Sequence, residues 1–104
     1  MANYLLAYKG GALGTTEAEQ KQAMEAWGAW FGQLGQAVVD GGNPIGASAS
    51  VASNGTVSDG AASGISGYSI LKADSLAAAS AMAKGCPVLS SGGSIEVYET
   101  FNAM

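Results

Sequence analysis

The chain has 104 residues, of which 48% are hydrophobic and 12% are charged, and its formal net charge is −4. This length and hydrophobic content predict one globular domain over residues 1–104 with a modest core. The four lysines are dispersed and form no basic stripe, which argues against a nucleic-acid partner. With no histidine and one cysteine, the chain has no imidazole base, no internal disulfide and no histidine-bearing metal site. We therefore expect no bound metal and no cofactor.

The N-terminus carries no charged segment before its apolar residues, and Tyr8 and Lys9 interrupt the apolar run. It is therefore not read as a signal peptide, and no segment approaches the ~20 apolar residues of a membrane span. A single cysteine agrees with a reducing compartment, so we expect a cytoplasmic protein without a membrane partner. The low charged fraction predicts that part of the surface is covered by a second copy of the chain.

The N-terminal half predicts a strand followed by a helix. Asn3–Lys9 (NYLLAYK) has apolar residues on both faces, which is typical of a strand covered on both sides. Thr16 and Glu19 form a capping box, and the helix is predicted to run to about Gly35. Its apolar stripe points Trp27 inward and leaves Trp30 at the rim, where Trp30 fits a pocket wall or a dimer contact. The stripe consists of Met24, Trp27, Phe31, Leu34 and Val38. We expect Gly28 and Gly35 to allow close approach of a sheet or partner.

The middle of the chain predicts a short strand and a hairpin. Val38–Asp40 begins the strand, which Pro44 interrupts because it lacks an amide donor. Ala47 to Val51 alternate small apolar and polar residues, and Asn54-Gly55 is the strongest short hairpin signal. Residues 46–66 are nearly all Gly, Ala and Ser, so a flexible loop is the alternative to the hairpin.

The last third predicts a strand, a helix and a strand. Ile65–Ala73 reads as extended, and Asp74 is the expected N-cap of a helix over Leu76–Lys84. Gly85 is expected to end that helix in the left-handed conformation, with Pro87 preventing its continuation. Ser94–Thr100 alternates as a strand does. The whole order predicts an α+β, ferredoxin-like split βαβ fold with both helices on one sheet face.

This order, with several local motifs, resembles the YCII-related (DGPF-type) family. The matching motifs include Asp59-Gly60, Gly67-Tyr68, residues 73–76 (ADSL), residues 84–87 (KGCP) and residues 92–97 (GGSIEV). Leu34-Gly35, Val38-Val39 and Gly42-Asn43-Pro44 also fit the pattern, so the resemblance covers nearly the whole chain. It implies a homodimeric α+β barrel, in which two sheets pack face to face and cover the second apolar face of the first strand.

Two departures bear on function. The family's Asp-Gly-Pro-Phe is here Asp59-Gly60-Ala61-Ala62. The resemblance also implies a His–Asp pair in members suspected of being enzymes, whereas this chain has Trp27 at the corresponding helical turn and no histidine.

The predicted site combines aromatic and polar residues between the first helix and the sheet. The ligand-binding candidates are Tyr8, Trp27, Trp30, Asn43 and Tyr68. Asp40 is the best general-base candidate, and the resemblance adds Asp59 as a second catalytic candidate. The aromatics also fit a core, and both aspartates also fit turns. Cys86 follows a helix C-terminus, which favours a buried apolar role over a nucleophile.

Three functional hypotheses remain. The first is a small-molecule-binding domain or enzyme for an apolar or aromatic compound. The alternatives are a regulatory module without the His–Asp pair and a structural dimer subunit. Residues 10–14 (GGALG) lie between strand and helix like a phosphate loop, but they match no phosphate-binding motif, and two glutamates follow. We read them as a turn.

Overall fold

The computed structural model describes residues 1–11 and 14–103 and contains three helices and six strands in the order β1-α1-β2-β3-β4-β5-α2-α3-β6. The strands are β1 (Ala2–Lys9), β2 (Val38–Asp40), β3 (Ala49–Val51), β4 (Val57–Asp59), β5 (Ile65–Ala73) and β6 (Ser94–Glu99). The helices are α1 (Glu17–Leu34), α2 (Leu76–Ala83) and α3 (Pro87–Ser90), and one 3₁₀ turn follows α1 at Gly35–Ala37.

The main sheet has four antiparallel strands in the order β2-β5-β1-β6, and β3 and β4 form a separate hairpin. This α+β arrangement is compatible with the predicted ferredoxin-like class. The predicted hairpin is confirmed: Gly55 has a φ of 90°, and the side chain of Asn54 accepts a hydrogen bond from the Thr56 amide at 3.0 Å. Among the described residues, no helix is long and apolar enough to cross a membrane.

Both long helices begin at a hydroxyl cap. Thr16 accepts from the Glu19 amide at 3.1 Å, which confirms the N-cap of the predicted capping box, and its hydroxyl donates to Glu19 Oε1 at 3.2 Å. The prediction for α2 is wrong by one residue: Ser75, not Asp74, is the N-cap and accepts from the Ala78 amide at 3.0 Å. Ser75 has the extended backbone of an N-cap directly before the first helical residue.

The predicted conformation of Gly85 is also wrong. Lys84 closes the helix with right-handed helical angles, and Gly85 does not adopt the left-handed conformation. Pro87 stops α2 as expected but also opens the short helix α3, because its fixed φ suits the first helical position. Cys86 lies between the two helices and is buried.

The core fills one face of the sheet. Tyr4, Leu6 and Leu71 are buried on the face that also carries Tyr8 and Ser69. The helix α2 packs directly on β1, β5 and β6, and Ala79 and Ala83 are its buried residues. The opposite face of the sheet carries Leu5, Ile70 and Tyr98, which are only partly covered or exposed within this chain.

Candidate functional site

A cavity of about 420 Å³ opens between α1 and one end of the sheet. Ring and apolar side chains of Tyr8, Trp27, Phe31, Met24 and Val88 line it. The rest of its wall is rich in glycine and small polar residues: Gly10, Gly11, Gly41, Gly42, Asn43, Pro44, Ser66, Gly67, Tyr68 and Ser91. No charged side chain is found among the described lining residues, so the site favours uncharged, apolar groups.

The aromatic wall consists of rings in contact. The Tyr8 and Trp27 rings meet edge to face with centroids 5.2 Å apart, and the Trp27 and Phe31 centroids are 5.9 Å apart. Edge-to-face geometry places the positive edge of one ring against the negative face of the other, which stabilises the pair. The half-buried Trp27 therefore presents a supported ring to the cavity.

The opposite wall is made of backbone. Gly42 has a φ of 75°, and a Cβ at this position would collide with the carbonyl oxygen of Tyr68. Only glycine combines this conformation with so close an approach. Gly67 lies opposite Tyr8 in the sheet, and its missing side chain leaves open the space beside the Tyr8 ring. The cavity exists because these two positions carry no side chain.

A chain of buried hydrogen bonds fixes the Tyr8 phenol. Tyr8 Oη donates to Ser69 Oγ at 2.7 Å, and Ser69 Oγ donates to the Gly41 carbonyl oxygen at 2.7 Å. The chain joins β1, β5 and the loop after β2, and thus ties the backbone wall to the aromatic wall. Burial raises the pKa of Tyr8 well above its usual value, so the phenol stays neutral.

Cys86 lies against the same phenol and is closed to solvent. Burial is the main reason why the pKa of its thiol is raised, with weaker opposing effects of hydrogen bonds to Val88 and Tyr8. A neutral buried thiol is a poor nucleophile, which agrees with the predicted apolar role. Among the described residues, no group of three His, Cys, Asp or Glu side chains could hold a metal ion.

The structure brings four of the predicted site residues to the cavity: Tyr8, Trp27, Asn43 and Tyr68. Strand alternation directs the Tyr68 side chain to the face opposite Tyr8, so the Tyr68 backbone borders the cavity where Gly42 meets it. Asn43 is exposed, and its carbonyl oxygen accepts from the Tyr68 amide at 3.3 Å. This bond holds the loop after β2 against β5.

The predicted position of Trp30 is wrong. Trp30, predicted at the rim, is 3% exposed, and its Nε1 donates to the Met82 carbonyl oxygen at 3.1 Å. Trp27, predicted inside, borders the cavity, and Met24 is 66% exposed rather than in the core. The close approach expected at Gly28 and Gly35 is also wrong, because a Cβ at either position would meet open space.

The two catalytic candidates do not line this cavity. Asp40 Oδ1 accepts from the Gly42 amide at 2.8 Å and shapes the turn that forms the backbone wall. Asp59 is exposed at the end of β4, in the hairpin. Their catalytic role stays a prediction. The GGALG turn is only partly described: Ala12 and Leu13 lie outside the described residues, and Gly10 and Gly11 border the cavity.

Sequence reasoning missed Phe31 as a cavity residue and the glycines of the backbone wall. Two glycine pairs that directly follow predicted strands, Gly10-Gly11 and Gly41-Gly42, are the available signal. No known protein family, curated protein or solved structure matches this chain.

Proposed function

We propose that this chain is a small-molecule-binding domain whose ligand is a flat, uncharged ring compound held between α1 and the sheet. The observation that carries the proposal is the pairing of an aromatic wall with a glycine wall around about 420 Å³. Binding cavities for drug-sized ligands commonly have 300–1,000 Å³, so the volume is sufficient for one ring system. The Trp27 ring would stack on the ligand, and the glycines let it approach the backbone closely.

Binding without catalysis is the form of the proposal that the site supports. The only phenol hydroxyl buried at the cavity, that of Tyr8 among the described residues, already donates to Ser69. No carboxylate lines the described cavity wall, and Asp40 is engaged in its turn. A ligand hydroxyl could instead donate to the oxygen of Ser66 or Ser91, whose own protons are already donated to backbone carbonyl oxygens.

The test uses 2-naphthol as the probe and the two tryptophan indole N–H signals in nitrogen-correlated NMR spectra as the readout. We expect naphthol to shift the Trp27 signal and to leave the Trp30 signal in place, because the Trp30 N–H is bonded to Met82. Trp27→Ala should weaken naphthol binding at least tenfold. Tyr98→Ala, on the far face of the sheet, serves as the matched control and should change it less than twofold.

Charge selectivity sharpens the test. Naphthalene-2-carboxylate should bind at least tenfold more weakly than 2-naphthol, because no described cation in the cavity wall offsets the cost of removing its carboxylate from water. Equal binding of both probes, or naphthol binding that survives Trp27→Ala unchanged, would remove the support for this site.

The second candidate is a regulatory or structural dimer module, and the open sheet face favours it. Leu5, Ile70 and Tyr98 lie on that face, and Tyr98 is 49% exposed. Within this candidate we keep the proposed YCII-type relationship, a homodimeric α+β barrel and a cytoplasmic location. What supports them is the α+β order and the single buried thiol. A sedimenting mass of about 21 kDa, twice the 10.3 kDa chain, is the expected result.

A further inference from the structure

Residues 46–64, here called the arm, project from the body as a two-stranded ribbon. The Pro44–Gly67 bridge and the 2.9 Å bond from the Ile45 amide to the Ser66 carbonyl oxygen join its base to β5. Within the arm, β3 and β4 pair in register from Ala49–Asp59 to Val51–Val57. Every arm residue is exposed except Ser50, which is half-buried. The arm therefore continues the β2–β5 ribbon beyond the main sheet.

The arm has two different sides. Val51 faces its cross-strand neighbour Val57, and Ala49 shares their side because side chains alternate along a strand. The other side carries serines: Ser50 Oγ donates to the Gly60 carbonyl oxygen at 2.7 Å, and Ser48 Oγ accepts from the Ala61 amide at 2.9 Å. The valines are 70% and 66% exposed. One side is thus hydrogen-bonded within the arm, and the other is uncovered, with the valine pair in its middle and the exposed Asp59 beside Ala49 at its base.

The chain also exposes more surface than its mass requires. Its accessible surface is 6823 Å², whereas a compact monomer of 10.3 kDa exposes about 5,400 Å². Its radius of gyration is 15.1 Å, against about 13 Å for a compact chain of this length. The excess of about 1,400 Å² is larger than the ~800 Å² that one partner contributes to a standard interface.

We propose that the arm is a clasp that packs its valine side on a second copy of this chain, in a two-fold pair in which each arm holds the partner. The proposal rests on the proposed homodimer and adds the element that secures it. A second copy fits because each chain brings both an arm and an open sheet face. In a two-fold pair, each of these surfaces occurs once on either chain, so the same contact is made twice. An isolated two-stranded ribbon is only marginally stable in water, so docking on a partner would stabilise the arm.

The low charge of the arm favours a second copy of this chain over a strongly charged partner. Asp59, at the arm's base, is the only charged residue in residues 46–64. An acidic or basic macromolecule would need opposite charges that the arm does not offer. Each half of the arm has about nine residues and is about 30 Å long when extended, which is the length of β5. A partner of the chain's own size therefore suffices to cover it.

The first experiment measures the dimer dissociation constant by sedimentation equilibrium for the full chain and a short-arm variant. In the variant, Asn-Gly replaces residues 49–59 and connects Ser48 to Gly60. These two residues form a hydrogen-bonded pair, with a 3.0 Å bond from the Gly60 amide to the Ser48 carbonyl oxygen, which a two-residue turn can close. We expect at least a hundredfold weaker dimer, with the Trp27 and Trp30 indole signals retained.

The second experiment places the same charge on either side of the ribbon. Val51→Lys should weaken the dimer at least tenfold, whereas Ser58→Lys, the matched control on the serine side, should change it less than twofold. Ile70→Lys tests the open sheet face separately. A dimer that keeps its dissociation constant in the short-arm and Val51→Lys variants overturns the clasp alone. A full chain that stays monomeric at 100 µM overturns both the clasp and the dimer.

Discussion

The helix-facing side of the sheet is filled at one end and hollow at the other. At the filled end, Leu6 and Leu71 are fully buried, and α2 lies directly on the strands through Ala79 and Ala83. At the hollow end, Tyr8 faces Gly67 across the strands, and α1 packs chiefly on α3 instead of the sheet. Both ends use the same two strands. What differs is the size of the side chains and the helix above them.

This difference shows how a small domain can leave room for a ligand. Alanines on α2 let its backbone approach the strands closely, which removes any space there. Large rings on α1 hold that helix away from the sheet, while glycines opposite them fill none of the gap. The two tryptophans lie on either side of the division, because Trp30 belongs to the filled end and Trp27 to the hollow end.

The largest expected effect distinguishes these two tryptophans. Trp30→Ala should lower the free energy of unfolding by about 3–5 kcal/mol, because it removes a buried ring and leaves the Met82 carbonyl without its indole donor. Trp27→Ala should cost about 1–2 kcal/mol, because its half-buried ring borders a space that already exists. Urea unfolding followed by circular dichroism measures both. A larger loss for Trp27→Ala would contradict the division between filled and hollow ends.

The next effect tests whether glycine makes the hollow end. Gly42→Ala should destabilise the fold by about 2–3 kcal/mol, because alanine is strained at a φ of 75° and its Cβ would collide with the Tyr68 carbonyl oxygen. Gly32→Ala is the matched control: it lies exposed within α1, and its Cβ would meet open space. It should stabilise by up to about 1 kcal/mol through helix propensity.

Thermal unfolding measures both glycine variants, and 2-naphthol binding measures the cavity. Gly42→Ala is expected to weaken naphthol binding, because the backbone wall must move away from β5. Gly32→Ala should leave binding unchanged. If Gly42→Ala were neutral in stability, the close contact between the loop after β2 and β5 would not be a constraint of the fold.

Sequence patterns predicted the elements well because each one depends on local chemistry. The strands β1 and β5, the capping box of Thr16 and the Asn54-Gly55 hairpin all follow from short-range alternation, capping and turn preference. Local chemistry could not choose between Asp74 and Ser75 as the N-cap, since both side chains accept amide hydrogen bonds. It also could not show that Pro87 starts a new helix as well as ending one.

The site was harder to predict because it depends on which face of α1 packs against the core. A period of 3.6 separates Trp27 from Trp30 by about 60° around α1 and does not say which of them faces the core. Contact with Met82 and Gly85 at the end of α2 decides that, and this contact is tertiary. The backbone wall at Gly42 has no side chain that could mark it in the sequence. For the same reason Tyr8 and Trp27 could be predicted as cavity residues and the glycines could not.

The smallest effect concerns Tyr8 and depends on pH. Burial raises the pKa of the Tyr8 phenol above its unfolded value of about 10, so the folded chain keeps its proton at pH values where the unfolded chain loses it. The stabilising effect of Tyr8 is therefore fully present below pH 9 and declines as the pH rises through 10. The limiting slope is about 1.4 kcal/mol per pH unit for each such group.

Tyr8→Phe tests this dependence because it removes the hydroxyl and keeps the ring. At pH 7 it should cost about 1 kcal/mol for the lost bond to Ser69, and by pH 11 the variant should be as stable as the natural chain or more stable. Ser69→Ala is the control, since it breaks the same bond but keeps the phenol and hence the alkaline decline. The pKa values of Cys86 and Tyr4 are also raised, so these two groups lower the stability of all three proteins as the pH rises. Urea unfolding at pH 7, 9, 10 and 11 gives the comparison. Parallel stability curves for the natural chain and Tyr8→Phe would mean that the phenol at the hollow end is open to water in the folded protein.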